Sequence, residues 1–429
     1  VRLYSHTIFI AAVARPNYMN SREFIQLFNE YPILHELERE LSAGKTRFGV
    51  QNSIGSAKSI LFAHLQKHTE RSVLVLCNDQ EQAEYIYADL QTFTDHNYVF
   101  LWKDSFRRSF DVTLPESTKI QTKASILDAL ADMDQPKIVV TYPEAFAERI
   151  IQQEVFQKSK LTFKVGEEVD LDFLIEVLNE YAFYREDFVY EPGQFSIRGG
   201  IIDLFSYASE LPFRLELDGR TIESIREFDP ISQLSTKKLV RATIVPNVQE
   251  TAKNEESADI FDYLGKKPIV CTYDLPYAIA KIAKGLEKAE DKASSATEDL
   301  AEERPQLDHI YFDEEQLVNL LNKKQIIEFS SQTFFRPSVK LQFNQVPQPP
   351  VNKNFNLLID TLKSLDQKKY TTLVFSESAK QIERLVSIFD DLVAGYNIQP
   401  VYKSLSAGFI DHDLKIAAHT EHQIFNRYY

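Results

Sequence analysis

Short apolar runs at Val73 to Leu76, Tyr98 to Trp102, Lys137 to Tyr142 and Ile269 to Tyr273 alternate with stretches of helical periodicity. That alternation restricts the fold more than any other feature. The first helical pattern starts at Asn20 and places Phe24, Ile25, Leu27 and Phe28, then Leu34, Leu37 and Leu41, three and four residues apart. A strand-loop-helix candidate follows at Arg47 to Leu65, then helices with Ala83, Ile86, Tyr87 and Leu90 on one face, and around Thr118 to Leu130. Strands joined by segments long enough to cross a sheet face predict a parallel, doubly wound α/β sheet.

From about Leu161 to Pro246 the pattern changes to short alternating strands with turn signals between them, which reads as a small inserted α+β domain. Phe195 and Ile197 alternate with Ser196 and Arg198, and Phe213, Leu215 and Leu217 with Arg214, Glu216 and Asp218, so each strand is expected to have one buried and one wet face. Asp218-Gly219 supplies a hairpin turn, and Gly199-Gly200 a tight turn or bulge. Alternation resumes at Ala258, passes a helical stretch of mixed charge from Ile279 to Glu303, and meets a proline-rich boundary at Gln345 to Val351. The strand Thr371 to Phe375 and a helix bearing Ile382, Leu385, Val386, Phe389 and Leu392 then predict a small terminal α/β domain. The expected divisions are 1–18, 19–160, 161–246, 247–345 and 346–429.

A chain of 429 residues fits two to four domains at about 100–200 residues each. Its formal net charge of -15 argues against broad attraction to nucleic-acid phosphates, leaving room only for a local basic patch. Cys77 and Cys271 both lie in apolar runs, so no disulfide framework is expected and a reducing cytoplasm fits. Residues 1–18 read as a leader or extension, since the apolar run from Ile8 to Ala14 is short for a signal peptide. No stretch reaches the ~20 apolar residues needed to span a bilayer.

Asn52 to Ser59 has the frame of a phosphate-binding loop, which needs small residues around the phosphate, a lysine and a hydroxyl for magnesium. Aligned on Lys58 and Ser59, the two glycine positions hold Asn52 and Ala57. A Cβ at Ala57 obstructs the close backbone approach, so the segment is expected to be a vestigial turn with Lys58 solvated or paired locally. The second nucleotide element would be an apolar strand ending in two carboxylates. Its best candidate ends in Tyr273-Asp274, with a phenol where the metal carboxylate belongs, so nucleotide hydrolysis is not expected.

The strings Glu191-Pro-Gly-Gln-Phe-Ser-Ile-Arg-Gly-Gly-Ile-Ile-Asp-Leu-Phe, Leu211-Pro-Phe-Arg-Leu-Glu-Leu-Asp-Gly and Ile222-Glu-Ser-Ile-Arg-Glu-Phe-Asp-Pro resemble the UvrA-binding domain shared by UvrB and the transcription-repair coupling factors (Mfd). The altered phosphate loop, the run from Thr141 and the stretch Ala418 to Arg427 are similar to the coupling factors rather than to UvrB. The resemblance covers nearly everything after Met19. It implies a UvrB-like first domain with a degenerate RecA-like phosphate loop, interrupted by the insertion, and a module that recruits UvrA and helps restrain a motor. In the family an RNA-polymerase-interacting domain and an ATP- and magnesium-dependent motor on double-stranded DNA follow, so the chain is expected to be part of a longer protein.

By the same resemblance the UvrA contact falls at Arg198 and Arg214, while a family position that is commonly aromatic is Asp218 here. Taken alone, two arginines on a sheet face fit ordinary solvation or a partner surface, and Asp203 a structural or an interfacial role. No cofactor and no membrane contact is expected for this part. The alternatives are a UvrB-like ATP-binding repair enzyme, and a non-specific DNA-binding module built around Lys103, Arg107 and Arg108. The histidines read as scattered, with no ligand-spaced pair on a helix face, and no serine or cysteine sits in an activated turn.

Overall fold

A seven-stranded sheet forms the centre of one of two bodies in the computed structural model, which describes residues 19–105, 117–131, 135–248, 257–295, 307–351, 355–392 and 398–427. The expected leader at 1–18 and the arginines 107 and 108 lie outside the described residues. The body holding the sheet comprises Glu36–Gln51 and Leu61–Leu341. Across the sheet the strands run Val339–Gln342, Arg47–Gln51, Gln325–Glu328, Ile269–Thr272, Val73–Leu76, Ile138–Thr141 and Val99–Leu101. The six from Arg47–Gln51 onward pair in parallel. The central strands Val73–Leu76 and Ile269–Thr272 are buried at every position, as befits a parallel sheet covered on both faces.

The covering helices start where the sequence supplies caps. Asp79 accepts from the Gln82 amide ahead of Gln80–Phe93, and Asp313 forms a capping box with Gln316 ahead of Glu314–Asn322. A buried ion pair joins Lys123, on the helix Ser117–Leu130, to Glu148. The Glu148 carboxylate also accepts from the Ser105 amide and hydroxyl, both at 2.8 Å, so its charge is met from several sides.

The same body contains a six-stranded sheet at residues 184–239, with the order Ser235–Leu239, Thr221–Phe228, Phe213–Asp218, Ile201–Leu204, Gln194–Arg198 and Tyr184–Arg185. All its pairings are antiparallel except that between Tyr184–Arg185 and Gln194–Arg198. Gly199 and Gly200 form the two-residue turn that pairs Arg198 with Ile201. Phe195, Ile202, Leu204, Leu215 and Ile225 are fully buried on the apolar side.

The second body comprises residues through His35, Asn52–Ile60 and Gln342 onward. Its five-stranded mixed sheet runs Gln345–Pro347, Phe409–Asp411, Ile416–Thr420, Thr371–Phe375 and Ile398–Val401. Val351, Leu358, Leu362, Val374, Leu385 and Ile424 form its core. The single helical pattern expected from Asn20 is two helices, Ser21–Gln26 and Pro32–Ser42, because Pro32 opens a new helix at its first turn. Phe24 packs edge-on against Phe375 at 5.1 Å and Phe28 lies 6.3 Å from Phe409, so this start of the chain belongs with the terminal sheet.

Candidate partner-binding surface

Antiparallel register sets one row of side chains across the inserted sheet: Ser196, Asp203, Arg214, Arg226 and Lys238 face one another on successive strands. Arg198, two residues from Ser196, shares their face. Asp203 is fully buried and takes both predicted arginines. Arg214 forms a two-point contact, Nε to Oδ1 at 2.7 Å and Nη2 to Oδ2 at 2.8 Å, and Arg198 Nη2 donates to Oδ2 at 2.6 Å. The hydrogen bond to Asp203 holds the Arg214 guanidinium above its ordinary pKa.

The polar face is not as wet as its alternation suggests. The Asp187 carbonyl accepts from Ser196 Oγ and from Arg198 Nη1. The Gln233 side chain accepts from Arg214 Nη2 at 3.1 Å and donates to the Pro230 carbonyl. Two loops thus lean over the row, leaving the Arg198 side chain 34% exposed and that of Arg214 15%. Arg198 is the more accessible of the two, whereas Arg214 is chiefly engaged in holding Asp203. Asp218 is exposed beside its hairpin turn and touches neither arginine in the described contacts.

The same loops carry apolar side chains that sequence reading passed over. Phe188 lies under the Arg198 guanidinium, 4.5 Å from it, yet is 47% exposed, and Tyr190 is 55% exposed. Ile231 and Leu234, on either side of the Ser232-Gln233 pair, are 88% and 69% exposed. The sequence signal was the fully buried Val189 between Phe188 and Tyr190, an alternation inside an apparent loop. Two guanidiniums over one carboxylate keep a net positive charge, and an apolar rim surrounds it. Such a surface suits a partner presenting a carboxylate within an apolar patch.

The phosphate-loop segment is engaged within its own body. The Ile54 amide donates to Gln345 Oε1 and the Ser56 amide to the Ala407 carbonyl, both at 3.0 Å, while the Ala407 amide returns a bond to Ser56 Oγ. Asn52 and Gly55 have left-handed backbones, Ala57 and Ser59 are buried, and Lys58 is half-buried. In the other body, Tyr273 is half-buried against Phe62 and Phe329 with its phenol oxygen buried, and desolvation pushes its phenol pKa well up. Asp274 Oδ1 accepts from the Tyr277 amide and so caps the helix Leu275–Ser295. Lys103, the first residue of the expected basic cluster, is ion-paired to Glu84 at 2.8 Å.

One donor set escaped the sequence reading. His64 and His68 stand four apart on the helix Ala57–Thr69, and with Glu38 they place donor atoms within 4.8 Å of one another. The rings stack at 4.1 Å, and His64 Nε2 meets Glu38 Oε1 at 2.5 Å. Glu38 and His68 line a cavity with Arg71, Lys266, Lys267 and Lys324. Those cations oppose a dication, so the trio is better understood as a clamp between two helices.

A family model for the UvrB interaction domain matches residues 161–249. Among curated relatives, the transcription-repair-coupling factor of Bacillus subtilis (strain 168) is 30% identical over 227 residues, 52% of this chain and 18% of the relative. That of Staphylococcus aureus (strain bovine RF122 / ET3-1) is 31% identical over 193 residues, 44% and 16% of the two chains. That of Staphylococcus haemolyticus (strain JCSC1435) is 28% identical over 206 residues, 46% and 17%. The matched part covers less than a fifth of each relative. Among the described residues no helix is long and apolar enough to cross a membrane.

Proposed function

We propose that this chain, which is related to the N-terminal region of transcription-repair coupling factors and carries a UvrB interaction domain, recruits UvrA in nucleotide excision repair. The observation that carries the reading is the Arg198–Asp203–Arg214 cluster ringed by Phe188, Tyr190, Ile231 and Leu234. Arg198 supplies guanidinium edges to an acidic group on the partner, and the exposed rim supplies the apolar area that Asp218 does not. Arg214 holds Asp203, and through it Arg198, in place.

The module is read as having no nucleotide hydrolysis of its own. Support comes from the loop amides of Ile54 and Ser56, which are spent on Gln345 and Ala407, and from Tyr273, packed against Phe62, and helix-capping Asp274. The segment Asn52 to Ser59 is on this view a degenerate phosphate loop. The divisions at 19–160, 161–246, 247–345 and 346–429 follow the same scheme. ATP-driven movement on double-stranded DNA, displacement of stalled RNA polymerase, contact with a motor and a cytoplasmic location are proposals for the complete protein.

The test is calorimetric titration of the chain into purified UvrA. Arg198→Glu, and separately Ile231→Glu with Leu234→Glu, are expected to weaken binding at least tenfold (about 1.4 kcal/mol); thermal unfolding is expected to be unchanged in the exposed Ile231 and Leu234 pair and lowered in Arg198→Glu, which removes a partner of the buried Asp203. Unchanged affinity in both, or no binding by the native chain, overturns the assignment. Saturable uptake of labelled ATP in equilibrium dialysis would restore an ATP-binding role.

A further inference from the structure

In a parallel sheet the residues that precede each strand emerge side by side on one edge, and here four adjacent entry points are basic. Lys323 and Lys324 precede Gln325–Glu328, Lys266 and Lys267 precede Ile269–Thr272, Arg71 precedes Val73–Leu76, and Lys137 precedes Ile138–Thr141. These strands are consecutive neighbours in the sheet. At ~4.8 Å between strands, the four entries span roughly 14 Å.

Two cavities of about 430 and 580 Å³ open along this edge and share Arg71, Lys266 and Lys267. Lys137 lines the first, Lys323 and Lys324 the second, and the only carboxylates among the lining residues are Glu70 and Glu38. None of the six cations forms an ion pair among the described residues. Lys266, Lys267 and Lys323 are exposed, and Arg71 is steadied by donating Nε to the Lys267 carbonyl at 2.6 Å. Asp259 offsets part of the charge of Lys323 and Lys324 from a distance, and the remaining like charges repel one another, in a chain whose net charge is -15. Helix C-termini at Thr69 and Asn322 favour a nearby cation, but that effect fades within one turn and does not account for Lys266, Lys267 or Lys137.

We propose that this basic edge is a binding surface for the phosphodiester backbone of duplex nucleic acid. Lys137 is buried over the Tyr98 ring, so the accessible cations Arg71, Lys266, Lys267 and Lys323 cover three adjacent entries, roughly 10 Å, which matches about three to four phosphates of one strand at ~3.4 Å each along the helix axis. The charges are spread along a line shared by two cavities instead of converging on a point, which fits a backbone better than a single small anion. The contacts offered are lysine and arginine charges to phosphates, so recognition is expected to be independent of sequence. This surface is separate from the one proposed for UvrA, and either assignment can fail alone.

Fluorescence anisotropy of a labelled short DNA duplex with the whole chain tests it. Binding is expected to weaken with salt at a log-log slope of about -3 to -4, from ~0.9 per neutralised phosphate. The triple variant Lys266→Glu, Lys267→Glu, Lys323→Glu is expected to bind at least tenfold more weakly with a shallower slope. Lys237→Glu with Lys238→Glu and Arg241→Glu, exposed positions of equal charge change away from the edge, is the matched control and is expected to bind as the native chain does. Unfolding midpoints of both variants should match the native value, since the reversed side chains are exposed. Absence of binding, salt-independent binding, or equal loss in both variants overturns the proposal. Displacement of the duplex by equimolar pyrophosphate also overturns it, in favour of a small-anion site.

Discussion

Asp203 is the residue on which the inserted sheet's polar face turns. It is buried and satisfied only because two guanidiniums close on it from neighbouring strands. Asp203→Ala is expected to cost about 3 kcal/mol, measured as a shift in the urea midpoint, because a broken buried ion pair leaves charge uncompensated and Arg198 relieves part of it through its exposure. An unchanged midpoint would mean that the arginines do not depend on it. The alternation of Arg198 and Arg214 with apolar neighbours was legible in the sequence. Their closure on one carboxylate was not, since it depends on the strand register that sets Asp203 opposite Ser196 and Arg214, and the loops at residues 187–190 and 229–234 then fold over the face.

His419, in the terminal body, gives a second residue-scale prediction. It lies at 1% exposure on the strand Ile416–Thr420, neither ring nitrogen has a hydrogen-bond partner, and burial lowers its pKa to about 4. The unfolded chain, with an ordinary histidine pKa near ~6.5, therefore binds the proton first as pH falls. Stability is fully present above about pH 6.5 and declines toward pH 4, by up to about 3 kcal/mol from this group. Comparing urea midpoints at pH 7.5 and pH 5 in the native chain and in His419→Leu checks this. An equal acid loss in both would assign the sensitivity elsewhere.

At the scale of elements, the segment Asn52–Ile60 is fixed less by its own sequence than by the chain it meets. Gly55 has φ of +53°, and a Cβ there would lie 2.9 Å from the Ala407 carbonyl and 3.0 Å from that of Gly408. Gly55→Ala is expected to destabilise by about 1–3 kcal/mol, through left-handed strain and the carbonyl contacts together. Faster hydrogen exchange at the Ser56 amide, which the Ala407 carbonyl holds, is the local readout; unchanged exchange would refute the account. Sequence reading noted missing glycines at Asn52 and Ala57, but a loop's partners 291 and 351 residues away leave no local trace.

At the scale of the whole molecule, periodicity revealed what each segment is, and topology decided what the segments make together. Runs such as Val73–Leu76 and Ile269–Thr272 announce a buried parallel sheet on their own. The basic edge does not announce itself, because Arg71, Lys137, Lys266 and Lys323 are far apart in sequence and become neighbours only when four strands enter the sheet from the same side. His64 and His68 were legible at a spacing of four and were overlooked among scattered histidines. The helix Ser21–Gln26 was recognised as a helix, while its place beside Phe375 depended on an aromatic contact that no local pattern encodes.

The bond from the Ala407 amide to Ser56 joins residues 351 positions apart. A ribosome adding about 5–20 residues per second needs roughly 20 to 70 s to cover that distance. During that interval the sheet body can mature while residues 52–60 stand without the Ala407 loop that will hold them, so the order of synthesis lets their own body close after the sheet body.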